Sequence, residues 1–149
     1  MNSRLRNLQN LDRYLQHFHI DDLGCGFRYV TAQADATTTL DKLAGDQVLL
    51  ARPEMRQYGD SDGYEETIDT AVFVLAKDLG AGRTQAKEDA QFERLADIAD
   101  NVLSKIDNAV TAGDCPLLAG FIVTDIVVTP EVQIFGSWQG YSIAITFRR

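Results

Sequence analysis

The stretch Tyr58–Glu66, "YGDSDGYEE", places closely spaced carboxylates beside a glycine. This grouping is typical of calcium loops and of acid/base sites. An EF-hand loop has acidic residues at positions 1, 3 and 5, Gly at position 6 and Glu at position 12. With Gly63 at position 6, the first position is Tyr58 and the twelfth is Asp69. Because Tyr58 has no carboxylate and Asp69 falls in a predicted strand, we predict no metal site here.

The same residues also fit a turn between two strands. The side chains of Asp60 and Asp62 can bind their own backbone, and Gly63 can adopt a positive φ. We therefore predict a hairpin loop with an acidic, exposed tip that contacts a partner.

Histidine and cysteine supply the next candidates for chemistry. His17 and His19 are two residues apart, so they would point to opposite sides of a helix and share no metal there. Neither thiol, Cys25 or Cys115, lies in a zinc, disulfide or nucleophile motif. We predict solvated histidines at a helix end and two reduced thiols in the core, although pairing between the thiols stays open.

The segment Gly80–Arg83, "GAGR", follows a predicted strand and precedes a predicted helix, which is where phosphate-binding loops lie. It lacks both the GxxxxGK[ST] and the full GxGxxG pattern. We predict a link into the helix, with Arg83 free to meet an anion or an acidic neighbour.

Three large apolar side chains lie near the end of the chain in "IFGSWQG", a stretch broken by two glycines: Ile134, Phe135 and Trp138. Exposed, they would mark a contact surface, because aromatic residues are enriched at interface centres. Alternatively they fold back onto the core, and the sequence leaves both alternatives open.

The composition is that of a globular domain. The chain has 149 residues, 45% hydrophobic and 24% charged, and we expect one domain over 1–149. The net charge of -8 disfavours binding to nucleic acid or to anionic membranes, since both need clustered Lys and Arg. No catalytic residue, cofactor or metal is predicted.

Hydrophobic periodicity predicts the elements that hold these residues. A helix is expected from Ser3, as N-cap, to Phe18, and a longer one from Thr84, as N-cap, to about Val110. Strands are expected at Gly24–Ala32, at "DQVLLARP", at "YEETIDTAVFVLAK", at "LLAGFIVTDIVVTP" and at "YSIAITFRR", with a short helix or turn at "ATTTLDKLAG". From Ala71 to Ala76 both faces are apolar, which predicts a strand covered on both sides.

The predicted order is therefore α-β-β-β-α-β-β. Helices do not alternate with each strand, so a doubly wound parallel sheet is not expected. We predict an α+β fold with a mostly antiparallel or mixed sheet of about four to five strands, on which the long helix and the N-terminal helix pack.

This order, with the helix "QAKEDAQFERLADIADNVLSKI" and a closing strand of the form "WxGYSIAITF", resembles the tail terminators and head–tail joining proteins of tailed bacteriophages. The resemblance extends from about Leu5 to Phe147. It implies a non-enzymatic subunit of the virion tail, made in the bacterial cytoplasm, that forms a ring with itself, usually a hexamer. The ring would contact tail-tube and neck proteins.

The resemblance further implies subunit contacts through sheet edges and loops, with no membrane contact and no specific nucleic-acid binding. DNA would pass through the lumen, which we expect to be acidic so that DNA slides through it. Carried onto this chain, the contact segments are the loop Gln57–Tyr64 and the stretch Glu131–Trp138. The candidate interface residues are Tyr58, Asp60, Asp62, Tyr64, Arg83, Ile134, Phe135 and Trp138. Two alternatives remain: a small α+β enzyme or ligand-binding domain, and an accessory protein of a mobile element.

Overall fold

The computed structural model of the protein describes residues 5–60 and 63–149. It is an α+β fold in which helices pack on a mixed six-stranded sheet. The elements in chain order are α1 Arg6–Gln16, β1 Gly26–Val30, α2 Gln33–Leu40, β2 Gln47–Ala51, β3 Glu54–Asp60, β4 Gly63–Lys77, α3 Gln85–Thr111, β5 Ile122–Ile134 and β6 Trp138–Arg148. The predicted fold class is confirmed.

The strands lie in the order β1-β2-β4-β6-β5, and β3 pairs with the first half of β4. The pair β1–β2 is parallel, with α2 as its crossover, and every other pair is antiparallel. Long β4 and β6 are therefore the centre of the sheet, while β5 is one outer strand and β1 and β3 are the others.

The strand β4 is buried on both faces, as its apolar run predicted. Val72, Val74 and Ala76 face the main core, which α1 and α3 cover. Phe73 and Leu75 face a smaller second core, which α2 covers. Each residue of this run therefore removes apolar surface from water on one side or the other.

The helices α1 and α3 form where the apolar spacing predicts them. Leu11 and Leu15 of α1 are fully buried, and Phe18 packs in the same core although the helix ends at Gln16. The predicted N-cap Ser3 lies outside the described residues. Thr84 caps α3 as predicted, because its Oγ1 accepts a hydrogen bond of 3.2 Å from the Lys87 N–H.

Two features of the structure were not predicted from the sequence: the strand β3 and a buried polar residue on α3. Glu54–Asp60 is a strand that the sequence did not indicate, because its residues are mostly polar and do not alternate with apolar ones. On α3 the polar Gln91 is buried, and its side chain donates to the Lys77 carbonyl at 2.9 Å and accepts from Gln139 at 2.6 Å. This network satisfies polar groups that would otherwise be costly to bury.

Candidate functional site

The outer strand β5 is the most apolar exposed part of the described structure. It pairs with β6 on one side, and among the described residues no strand pairs with its other side. Five of its large aliphatic side chains are 45% to 67% exposed, and they are Ile122, Ile126, Val127, Val128 and Val132. A long edge of this kind presents main-chain donors and acceptors together with apolar side chains, which is what a further strand or a partner surface requires.

Exposed aliphatic residues lie on both faces of β5. Ile126 and Val128 lie opposite Ile145 and Ile143 of β6, so they are on the face that carries the main core. They nevertheless stay about half exposed. Val127 lies opposite Ala144 on the other face, where no residue of β5 is among the buried residues of the second core that the structure describes.

Two irregularities and a proline limit how β5 can pair. The register with β6 shifts between Val123 and Asp125 and again between Glu131 and Ile134. Pro130 lies between these shifts and has no N–H to donate. Bulges and proline are devices that restrict edge pairing. The run Asp125–Thr129 is free of both, and it holds three of the five exposed aliphatic residues.

The aromatic residues near the end of the chain pack on the protein itself. Trp138 is 2% exposed in the second core. Ile134 and Phe135 are half-buried against the same core, with Phe135 edge-on to Phe73 at 5.0 Å between ring centroids. Of the two alternatives raised by the sequence, the rings folding back onto the core is the one observed. An interface role for the remaining exposed parts of Ile134 and Phe135 stays a prediction.

The segment Tyr58–Glu66 belongs to a hairpin. Tyr58 of β3 pairs with Glu65 of β4, and Asp69 pairs with Glu54. The described parts of the segment therefore belong to two paired strands, and Asp69, the twelfth position of the EF-hand alignment, lies within β4 as the sequence predicts. Asp62 and the side chains of Asp60 and Tyr64 lie outside the described residues.

Tyr58 is exposed on the charged outer strand β3. A hydrogen bond to the Glu65 carboxylate raises the pKa of its phenol above the ordinary value. Neighbours Arg56 and Arg148 act in the opposite direction on the same pKa. Tyr58 is thus held within a small polar group on the surface, and its role as an interface residue stays a prediction.

Arg83 meets an acidic neighbour rather than standing free. Its guanidinium donates to both carboxylate oxygens of Glu88 in the first turn of α3, and the contact from Nη2 to Oε1 measures 3.2 Å. This hydrogen-bonded ion pair holds the pKa of Glu88 below its usual value. The link Gly80–Arg83 therefore joins β4 to α3 with its cation already engaged.

The two histidines contact separate neighbours, and neither thiol is in a disulfide. His17 hydrogen-bonds through Nδ1 to the Arg13 carbonyl at 2.9 Å, and His19 lies 3.0 Å from Asp21. The part of the chain that the structure describes contains no cluster of three metal-ligating side chains. Cys25 and Cys115 are free thiols and half-buried, and burial, followed by nearby Asp46, raises the pKa of Cys25.

Two clefts of the described structure combine mostly apolar walls with a size suited to a small ligand. One of about 340 Å³ lies between α2, β4 and Phe135, and its one arginine, Arg52, is 3.4 Å from Asp12 and stacks over Tyr29. The other, of about 380 Å³, is lined by residues that include Tyr14 and Cys115. The Tyr14 hydroxyl is buried and hydrogen-bonds to no described residue, and burial raises its pKa. Among the described residues that line these two clefts, no hydroxyl or thiol nucleophile is hydrogen-bonded to a base.

Comparison with known proteins gives no family for this chain. No family model matches the sequence, and no curated protein matches it either. Within the described residues, no helix is long and apolar enough to cross a membrane.

Proposed function

We propose that the protein is a non-enzymatic structural subunit that assembles through its sheet edges, and that it acts in the tail or neck of a tailed phage or prophage. The observation that carries this proposal is the exposed apolar strand β5. Monomeric proteins keep large apolar patches off their surface, and they protect sheet edges with charge, proline or cover. Five exposed aliphatic residues on one outer strand therefore favour a surface that a partner covers.

The assignment to a phage tail is supported by the order of the elements. An N-terminal helix, a sheet built on long β4, the long helix α3 and two closing strands are the features on which the resemblance rests. Under this proposal the subunits form a ring, of six copies in the simplest case, that caps the tail tube or joins it to the neck. Contacts would come from β5 and from the β3–β4 hairpin.

The charge of the chain suits such a ring. With a net charge of -8, copies that present acidic residues to the lumen would repel DNA and let it pass without binding. The β3–β4 hairpin is a candidate for this lining, since Glu54, Glu65 and Glu66 lie on it. A ring whose lumen proved basic would contradict this part of the proposal.

A second candidate function is a small ligand-binding domain. It is favoured by the cleft of about 340 Å³ between α2 and β4, whose walls are mostly apolar. Ligand binding would raise the melting temperature of the protein, as binding to the folded state always does. An accessory protein of a mobile element, with the same fold but outside a particle, is a third candidate.

The deciding experiment is to identify the genes on either side and then to look for rings. A very long, helix-rich frame of the kind expected for a tape-measure protein, next to a β-rich tube protein, would support the tail assignment. We then expect rings by electron microscopy when this protein is mixed with that tube protein. Neighbouring genes for metabolic enzymes or regulators would contradict the tail assignment and favour a ligand screen.

A further inference from the structure

The exposed aliphatic residues of β5 are arranged symmetrically along the strand. Val127 is at the centre, Ile126 and Val128 flank it, and Ile122 and Val132 lie equally far on either side. If two such strands run antiparallel with Val127 opposite Val127, each of the three central aliphatic residues meets another aliphatic residue. Strands of identical sequence that pair in this way are related by a two-fold axis, so each contact occurs twice.

We propose that two copies of the free protein pair through β5, antiparallel, around a two-fold axis at Val127. In this arrangement Ile126 lies opposite Val128 of the second copy on one face of the joined sheet, and the two Val127 side chains meet on the other. Cross-strand aliphatic pairs of this kind are the units that stabilise antiparallel sheets. The two sheets become one continuous sheet, which covers the apolar edge of each copy.

The charges of β5 select this register over its neighbour. With the axis at Val127, Asp125 lies opposite Thr129, and Glu131 lies opposite Val123. Moving the axis by one residue to Val128 would place Asp125 opposite Glu131. Like charges directly opposite each other destabilise a strand pair. The self-pairing register is thus set by apolar contacts and by charge together.

The backbone of β5 permits pairing where these contacts lie. The central run Asp125–Thr129 contains neither the register shifts nor Pro130. The outer pair, Ile122 with Val132, falls beyond the shifts, so we assign the binding mainly to the central residues. A single strand pair is smaller than the roughly 800 Å² per partner of a standard interface, so we expect a dissociation constant of about 1–100 μM.

This inference concerns the free protein and is independent of the tail assignment. A two-fold contact joins two copies and stops, whereas a ring requires a head-to-tail contact. A ring that joins the tail tube to the neck also has two different faces, one for each partner. A two-fold contact between its subunits would make these two faces identical. The β5 pair is therefore a form that free copies adopt, and entry into such a ring would require it to open.

The first test is sedimentation velocity of the full chain at concentrations from about 1 to 200 μM, in about 0.15 M salt to screen the repulsion between two acidic copies. We expect a reversible monomer–dimer equilibrium. Val127→Lys places two ammonium groups side by side at the axis. We therefore expect the dissociation constant of the dimer to rise at least tenfold. Thr37→Lys is the matched control, because it adds the same charge at an exposed position of α2, which contacts β1 at the opposite end of the sheet from β5, and it should leave dimerisation unchanged. A wild-type monomer throughout, or an unaffected dimer in V127K, would overturn the proposal.

The second test reads the register directly. Residues opposite each other in a strand pair have Cβ atoms about 4.5–5.5 Å apart, so two Val127→Cys copies should form a disulfide under mild oxidation with little backbone movement. In the same dimer two Val132→Cys residues would be separated by ten strand positions, about 34 Å. We expect a covalent dimer from V127C and none from V132C or from the wild type, whose two thiols are half-buried. Equal crosslinking of the two variants, or crosslinking of V132C alone, would contradict the register.

Discussion

The two long hairpins of the sheet, β5–β6 and β3–β4, differ in the strand that each turns outward. The outer strand β5 carries five exposed aliphatic residues. The outer strand β3 carries Glu54, Arg56 and Gln57 on its exposed positions, and Gln57 lies 3.4 Å from Glu66 of β4. Charged residues on an edge discourage pairing with another chain, and apolar residues do not. The comparison therefore indicates which edge is suited to association.

The inner strands of the two hairpins occupy similar positions in the sheet. Both β4 and β6 lie within the sheet and contribute fully buried residues to the main core, such as Ile68 and Phe147. Both hairpins are therefore attached to the core through their inner strands, and they differ in the surface chemistry of their outer strands. Substitutions can test the attachment and the self-association of each hairpin separately.

The largest effect is expected from a glycine that anchors β6. Gly140 has a φ of 151°, and a Cβ at this position would lie 2.0 Å from the Val74 carbonyl oxygen. We expect Gly140→Ala to lower the free energy of unfolding by roughly 3–5 kcal/mol, because the central pair β4–β6 would have to separate. Urea denaturation followed by circular dichroism measures this loss.

The matched control is Gly63→Ala at the start of β4 in the other hairpin. A Cβ there would meet no described atom within 4 Å beyond its chain neighbours. We expect a change of at most about 1 kcal/mol. Similar losses for the two variants would show that the close approach at Gly140 does not anchor the β5–β6 hairpin.

A smaller loss is expected from the buried amide network between β6 and α3. Gln139 donates to Gln91 at 2.6 Å, so Gln139→Met would leave the Gln91 oxygen buried without this donor. We expect a loss of about 1–3 kcal/mol in thermal or urea unfolding. Gln57→Met on β3 removes an exposed contact of 3.4 Å and should change stability by less than about 0.5 kcal/mol. Equal effects would contradict a buried network that positions α3.

Much of the fold could be predicted because its strongest signals are local. The capping residue Thr84, the two-sided apolar run from Ala71 to Ala76 and the alternation of β6 each depend on neighbouring residues, and all three are confirmed. Local patterns decide such elements because helix capping and strand alternation arise within a few residues.

The parts that sequence reasoning missed depend on contacts between distant segments. The strand β3 has little apolar alternation of its own and is held by its register with β4. The run "IVTDIVVTP" predicts a strand, but only the strand order shows that this strand lies at an edge and stays exposed. The available signal was the run of three aliphatic residues at Ile126–Val128, because it places apolar side chains on both faces of the strand.

An edge exchange would test whether surface chemistry alone determines association. The double substitution Glu54→Val and Arg56→Val makes β3 apolar on one face and removes one charge of each sign, so the net charge stays at -8. We expect more light scattering on concentration or mild heating, with stability changed by less than about 1 kcal/mol. The converse pair, Ile126→Thr and Val128→Thr, should reduce self-association. If light scattering is unchanged in both variants, association does not depend on the apolar side chains of these edges.

The smallest effect is expected at Tyr58, on the polar side of the comparison. The hydrogen bond to Glu65 raises the pKa of the phenol in the folded state. A raised folded-state pKa gives a stabilisation that is complete below the ordinary tyrosine pKa of about 10 and is lost as the pH rises above it.

Glu65→Gln removes the carboxylate, so we expect the Tyr58 pKa to return toward its ordinary value in an NMR titration. Tyr29 serves as the internal reference, because burial and then its hydrogen bond to Asp12 raise its pKa to about 12, and this pKa should be the same in both proteins. An unchanged Tyr58 pKa in E65Q would mean that the polar pair on β3–β4 does not form in solution. The charged strand would then protect its edge through isolated charges and not through paired ones.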